Sequence, residues 1–154
     1  FLERGLPAEV KRPLSIEYVR RIMPLIQERA RTLAEVPELA EFFFIAELEY
    51  DPSLLIGKDM TQASTIGALE AAQQRLSQLE AFDEGSLEAV LRPLAEELVL
   101  KTGQLFGVLR VAVTGRTAAP PLFQTMAVLG RERCLSRIKA ALEKLRQNYP
   151  DRKE

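Results

Sequence analysis

The sequence predicts an all-α protein, and three observations carry that expectation. Leu and Ala recur at three- and four-residue intervals through most of the chain. Only 6% of the residues are aromatic and none is Trp, so aliphatic helix stripes must supply the core that aromatic layers would supply in a sandwich. The one run rich in β-branched residues, 105–113, has no second strand with which to pair and is read as a helix. With 154 residues, 47% of them apolar, the chain is long enough to bury a real core.

The elements follow in order. Ser15 offers an amino-terminal cap, and Ile16, Val19, Ile22 and Met23 continue at helical spacing. Pro24 then predicts a kink or a restart before Leu25, Ile26, Ala30 and Leu33. Pro37 marks the start of another helix, whose Leu39, Phe42, Phe43, Phe44 and Ile45 cover too much of its circumference for a surface position. Asp51-Pro52 and Gly57 mark a loop, and Ile66, Leu69, Ala72, Leu76 and Leu79 form the next stripe. Gly85-Ser86 reads as a stop and a cap for a helix through Leu87, Val90, Leu91, Leu94 and Leu98, bent at Pro93 and ended by Gly103. Residues 115–121 are the richest cluster of helix breakers, 122–129 a short apolar helix stopped by Gly130, and 134–145 a closing amphipathic helix. The loop signals between Asp51 and Asp59 predict two small helical subdomains, 1–56 and 57–154.

Charge is segregated behind a net value of −1. Residues 34–100 hold 14 acids and 3 bases, whereas 101–133 hold 5 bases and one acid, Glu132. Both ends are mildly basic. Such asymmetry suits a polyanion lying along one face, although solvated helix faces produce charge runs as well. No apolar run reaches the roughly 20 residues of a membrane span, and no secretory signal is legible, so no membrane partner and a cytoplasmic location are expected. Cys134 stands alone and fits a reducing compartment. A first residue Phe1, in place of methionine, reads as the start of a piece of a longer protein.

The chain contains no histidine, which removes the commonest general base and metal ligand, and one cysteine is too few for a thiolate zinc site. Neither a GxxxxGK[ST] cradle nor a GxGxxG turn occurs. Adjacent carboxylates such as Glu96 and Glu97 point to different helix faces and read as solvated charge. No catalytic residue, metal site or cofactor is expected in this chain. The segment 103–130, GQLFGVLRVAVTGRTAAPPLFQTMAVLG, has a different character: Pro120 and Pro121 stiffen a loop flanked by arginines and small residues. A rigid loop of this kind can dock unstacked bases, with guanidinium groups reading edges and phosphates; a plain turn between two core helices is the alternative.

LRVAVTGRTAAPPLFQTMAVLGRERCLSRI resembles the distal motif of bacterial-type glutamyl-tRNA synthetases, LRxAxTGxxxxPxLFxxxxxLGxxxxxxRI. A weaker match, IQERARTLAEVPE, is similar to that family's proximal helical segment. The resemblance implies the carboxy-terminal part of such a class I synthetase, with two helical domains forming an α-helix cage around the anticodon of a glutamate tRNA, and a monomeric state is expected. It places Arg29 at the third anticodon base, Arg110 and Leu122 at the first, Ala119 and Pro120 at the second, and Arg116 in the same loop. Where some relatives have a hydroxyl residue this chain has Ala119, so backbone contact must serve there. Arg131 is expected to meet phosphate. The family's HIGH-like and KMSKS-like signatures are absent, so ATP, Mg²⁺ and glutamate would be handled elsewhere in the parent ligase. The competing readings are a helical protein-interaction module gripping its partner through an apolar groove, and an independent hydrolase.

Overall fold

A computed structural model describes residues 15–27, 30, 32–45, 48, 50–57, 59–117 and 121–148. Among the described residues every regular element is helical. The helices are α1 (Ile16–Gln27), α2 (Val36–Phe44), α3 (Gln62–Ser77), α4 (Glu84–Glu97), α5 (Thr102–Thr114), α6 (Leu122–Leu129) and α7 (Arg131–Asn148), with short 3-10 turns at Leu33–Glu35 and Pro52–Leu55. The chain divides into two compact units, Phe1–Leu48 and Glu49–Glu154. The loop signals had placed the division at 56/57, but Pro52–Leu55 packs against α5 and α7, with Leu55 fully buried, and so belongs to the second unit.

In the first unit α1 packs on α2. Ser15 caps α1 as its sequence position suggests, its hydroxyl accepting from the Tyr18 amide at 3.3 Å. The helix runs on through Pro24, where Arg20 and Pro24 are both exposed and water can serve the carbonyl that proline leaves without a donor. Ile22, Ile26, Ala40, Phe42 and Phe43 form the core. The Tyr18 hydroxyl donates to the Phe43 carbonyl at 2.7 Å and its ring meets Phe44 edge-on at 5.4 Å, tying the two helices together.

In the second unit α7 lies across α3, α5 and α6, while α5 also touches α4 and the 3-10 turn, so α5 is the most enclosed element. Leu105, Val108, Leu109, Val111, Ala112 and Val113 are all buried on it. Burial on nearly all sides explains how a β-branched segment is held as a helix: packing outweighs the weak intrinsic preference of valine for strands. Leu69, Leu76, Leu87, Leu91, Leu94, Ile138, Leu142 and Leu145 complete the core. Ion pairs on the surface join Arg75 to Glu97, Arg92 to Glu88 and Arg146 to Glu70. The Arg75 hydrogen bonds hold the Glu97 carboxyl below the usual carboxylate range.

Two boundaries differ from the sequence expectation. Helix α4 starts one turn earlier than Gly85-Ser86 suggests, because Asp83 is its cap and accepts from the Ser86 amide at 2.8 Å. Its end lies at Glu97, not at Gly103, which sits in the first turn of α5. Leu100 and Val99 donate back to the carbonyls of Ala95 and Glu96, and this closure requires Val99 to adopt a φ of 58°.

Candidate nucleic-acid interface

Helix α5 ends in a tightly bonded corner. Gly115 takes a left-handed φ of 74°, which its missing Cβ permits, and its amide donates to the Val111 carbonyl at 2.7 Å. Thr114 is only 2% exposed. Its hydroxyl donates to the Arg110 carbonyl at 2.6 Å and accepts from the Arg116 amide at 3.1 Å, so one buried oxygen links the backbones that carry both arginines. Behind it Arg137, 4% exposed, donates from Nη1 to the Val113 carbonyl at 2.7 Å. That guanidinium stands at the negative end of the α5 dipole, where a cation is favoured.

Arg110 and Arg116 therefore sit on the two arms of one corner, each half-buried. Leu122, the first residue of α6, is 5% exposed, so most of its side chain is already packed in the core and little of it faces a ligand. Arg29, Ala119 and Pro120, the other residues expected at the site, lie outside the described residues. Pro121, which is exposed, precedes α6 and its carbonyl accepts from the Thr125 amide at 3.0 Å, fixing the far end of the loop.

Phe106 lies one turn before Arg110 on α5, so the two share a helix face. Its ring meets Phe123 of α6 edge-on at 5.1 Å, and the Arg92 guanidinium lies 5.6 Å from its centre. Both phenylalanines are half-buried, which leaves aromatic surface beside the arginine corner of the kind on which a base can stack. Farther along α5, a groove of about 460 Å³ is lined by residues that include Leu54, Lys101, Gly103, Gly107, Val111 and Thr117. A methyl group built on Gly103 or Gly107 would meet nothing within 4 Å, so both glycines keep open the space beside them.

The basic stretch is not uniformly available to a polyanion. Arg131, expected at phosphate, is engaged within the chain: its guanidinium donates to the Leu79 carbonyl and lies 5.8 Å from the centre of the Phe82 ring. Lys101 is exposed. Thr114 and Arg137 were not named as site residues, although both stand at fixed positions of the distal motif, and the second carries a further signal. Arg137 lies three residues after Cys134 and four before Ala141, on the buried face of α7, where an isolated charge has to find a partner. Burial pushes the Cys134 thiol up to about 12. Among the described residues no group of His, Cys, Asp and Glu could hold a metal ion, and no helix is long and apolar enough to cross a membrane.

Comparison with known proteins agrees with the motif. A family profile described as an anticodon binding domain matches residues 1–142. A glutamate–tRNA ligase of Dehalococcoides mccartyi is 51% identical over 145 residues, covering 94% of this chain and 30% of that protein. One from Roseiflexus castenholzii is 52% identical over 146 residues, covering 94% of this chain and 29% of that protein. Among solved structures, a glutamate tRNA ligase from Elizabethkingia meningosepticum, in complex with its amino acid, superposes with a TM-score of 0.74 at 26% identity, covering 86% of this chain and 26% of that one. The chain thus spans about 30% of the length of the curated relatives it matches. With the profile covering nearly the whole sequence, and a helical unit of the matching shape, the chain belongs to the anticodon-binding domain family.

Proposed function

We propose that this chain is the anticodon-reading part of a glutamate–tRNA ligase and grips the anticodon loop of its tRNA. In this reading the ligation, with its ATP, Mg²⁺ and glutamate, takes place in a separate catalytic domain of the parent enzyme, which acts as a monomer in the cytoplasm. The observation that carries the proposal is the corner at Thr114: two arginines held by one buried hydroxyl, beside half-exposed aromatic rings, in a chain whose relatives are such ligases. Arg110 meets the first anticodon base, with the largely buried Leu122 packed behind that contact. Ala119 and Pro120 meet the second base through their backbone, Arg29 reads the third, and Arg116 offers charge to the adjoining phosphates.

The test is a titration of the chain with glutamate tRNA and with anticodon-substituted tRNA at several salt concentrations. Arg110→Ala is expected to cost about 1 to 3 kcal/mol of discrimination at the first base and to leave binding of the substituted tRNA nearly unchanged. Equal weakening towards both tRNAs would reject the assignment of Arg110 to a base. The apolar groove beside Gly103 and Gly107 favours a second reading, a module that binds another protein. Neutralised phosphates give a steep dependence of affinity on salt and an apolar groove does not, so a flat response would favour the protein partner.

A further inference from the structure

We propose that Thr114 and Arg137 are positioning residues for anticodon recognition, bracing from inside the core the corner whose outer side carries Arg110 and Arg116. The inference rests on the tRNA reading above. Thr114 bonds to both arms of the corner, at the Arg110 carbonyl and the Arg116 amide, and is 2% exposed. Neither bond belongs to the regular ladder of an α-helix in the way the Gly115 to Val111 bond does; each needs the side-chain hydroxyl. Arg137 bonds to the peptide immediately before Thr114, from a helix 24 residues farther along the chain.

Stability alone does not account for Arg137. A buried guanidinium loses its hydration, and apolar residues of similar size often serve a core as well or better. What the charge supplies is direction: its planar donors fix the carbonyl end of α5, and through it the peptide plane from which the corner departs. A hydrophobic replacement would fill the space and leave that plane free to tilt. Recognition of a base edge depends on hydrogen-bond geometry over tenths of an ångström, so such tilting is felt in discrimination before it is felt in folding.

The experiment uses the full chain with glutamate tRNA, an anticodon-substituted tRNA, and amide hydrogen exchange without tRNA. Thr114→Val keeps the shape of the side chain and removes the hydroxyl, while Thr114→Ser restores it. Thr114→Val is expected to speed exchange at the Arg116 amide by at least about tenfold and to lower the ratio of affinities for the two tRNAs by about tenfold, the low end of what a lost base contact costs. Thr114→Ser is expected to recover both, and Arg137→Met to lower the ratio while the melting temperature moves by only a few degrees. The positioning role is overturned if Thr114→Val leaves the ratio unchanged while Arg110→Ala abolishes it, or if the serine variant behaves as the valine variant does. Insensitivity of the ratio to Arg110→Ala as well, with exchange at Arg116 still responding to Thr114→Val, overturns the tRNA reading and takes the role in recognition with it.

Discussion

Helices α4 and α5 end in the same backbone conformation and reach it with opposite residues. Both place a residue at positive φ just beyond the last turn, Val99 at 58° after α4 and Gly115 at 74° after α5. Val99 is 90% exposed and β-branched, the residue type for which a left-handed conformation is most strained. Its closure uses backbone bonds alone, to Ala95 and Glu96. The end of α5 combines glycine with two buried side chains, Thr114 and Arg137, that bond to the surrounding backbone. A helix stop that only has to turn the chain tolerates strain, whereas one that has to present arginines at a fixed geometry is relieved of strain and braced.

That contrast can be broken at either end. Gly115→Val would place at the second corner the residue that the first already carries. It is expected to cost about 2 kcal/mol of unfolding free energy, and to reduce discrimination between cognate and substituted anticodons. Denaturant titration and tRNA binding on the same sample check both parts, and an unperturbed corner would mean that bracing by Thr114 and Arg137 is strong enough to absorb the strain. Val99→Gly is expected to stabilise by about 1 kcal/mol, the relieved strain being partly offset by the freedom glycine has in the unfolded chain, with tRNA binding unchanged. A loss of binding in that variant would show that the exposed valine contacts a partner.

The smallest expected effect concerns the opposite end of α4. The amide of Ser86 holds the Asp83 carboxyl below its ordinary value of 3.8. A depressed carboxyl contributes stability that is complete above its unfolded value and is lost as pH falls through its folded one, so the first turn of α4 should fray on acidification below about pH 4. Asp83→Asn preserves the cap and removes its titration. Exchange at the Ser86 amide, followed from pH 5 to pH 3, should then become insensitive to this group, and a profile unchanged from the parent chain would assign the acid response elsewhere.

Most helices were legible because aliphatic spacing follows the helix period wherever one face is buried, as at Leu69, Ala72 and Leu76 in α3. Boundaries failed where a local rule was overridden. Gly85 and Gly103 look like stops, yet each lies in a first turn, and the actual stop after α4 is a valine that propensity argues against. At the candidate site, Arg110 and Thr114 both stand at fixed positions of the motif and Arg116 at a variable one, while the bonds by which the threonine hydroxyl joins the two arginines' backbones were not legible. Thr114 is the threonine of the motif's TG pair, but what its hydroxyl does is not written there, because its partners are backbone atoms of Arg110 and Arg116 and backbone atoms leave no trace in a sequence. Arg137 is the arginine of the motif's closing RI pair, and its burial follows only once the inner face of α7 is known.

The buried thiol of Cys134 gives this domain an internal clock. It has no exposed surface, and burial holds its pKa well above that of a free thiol, so in the closed protein the thiolate that reacts with an alkylating reagent is scarce and out of reach. Reaction therefore waits for α7 to lift away from α6, where the sulfur lies 3.6 Å from the Met126 carbonyl. The rate of alkylation in native buffer counts those opening events, and its slowing by an added RNA would measure how firmly the occupied surface holds the helices closed, with no label attached.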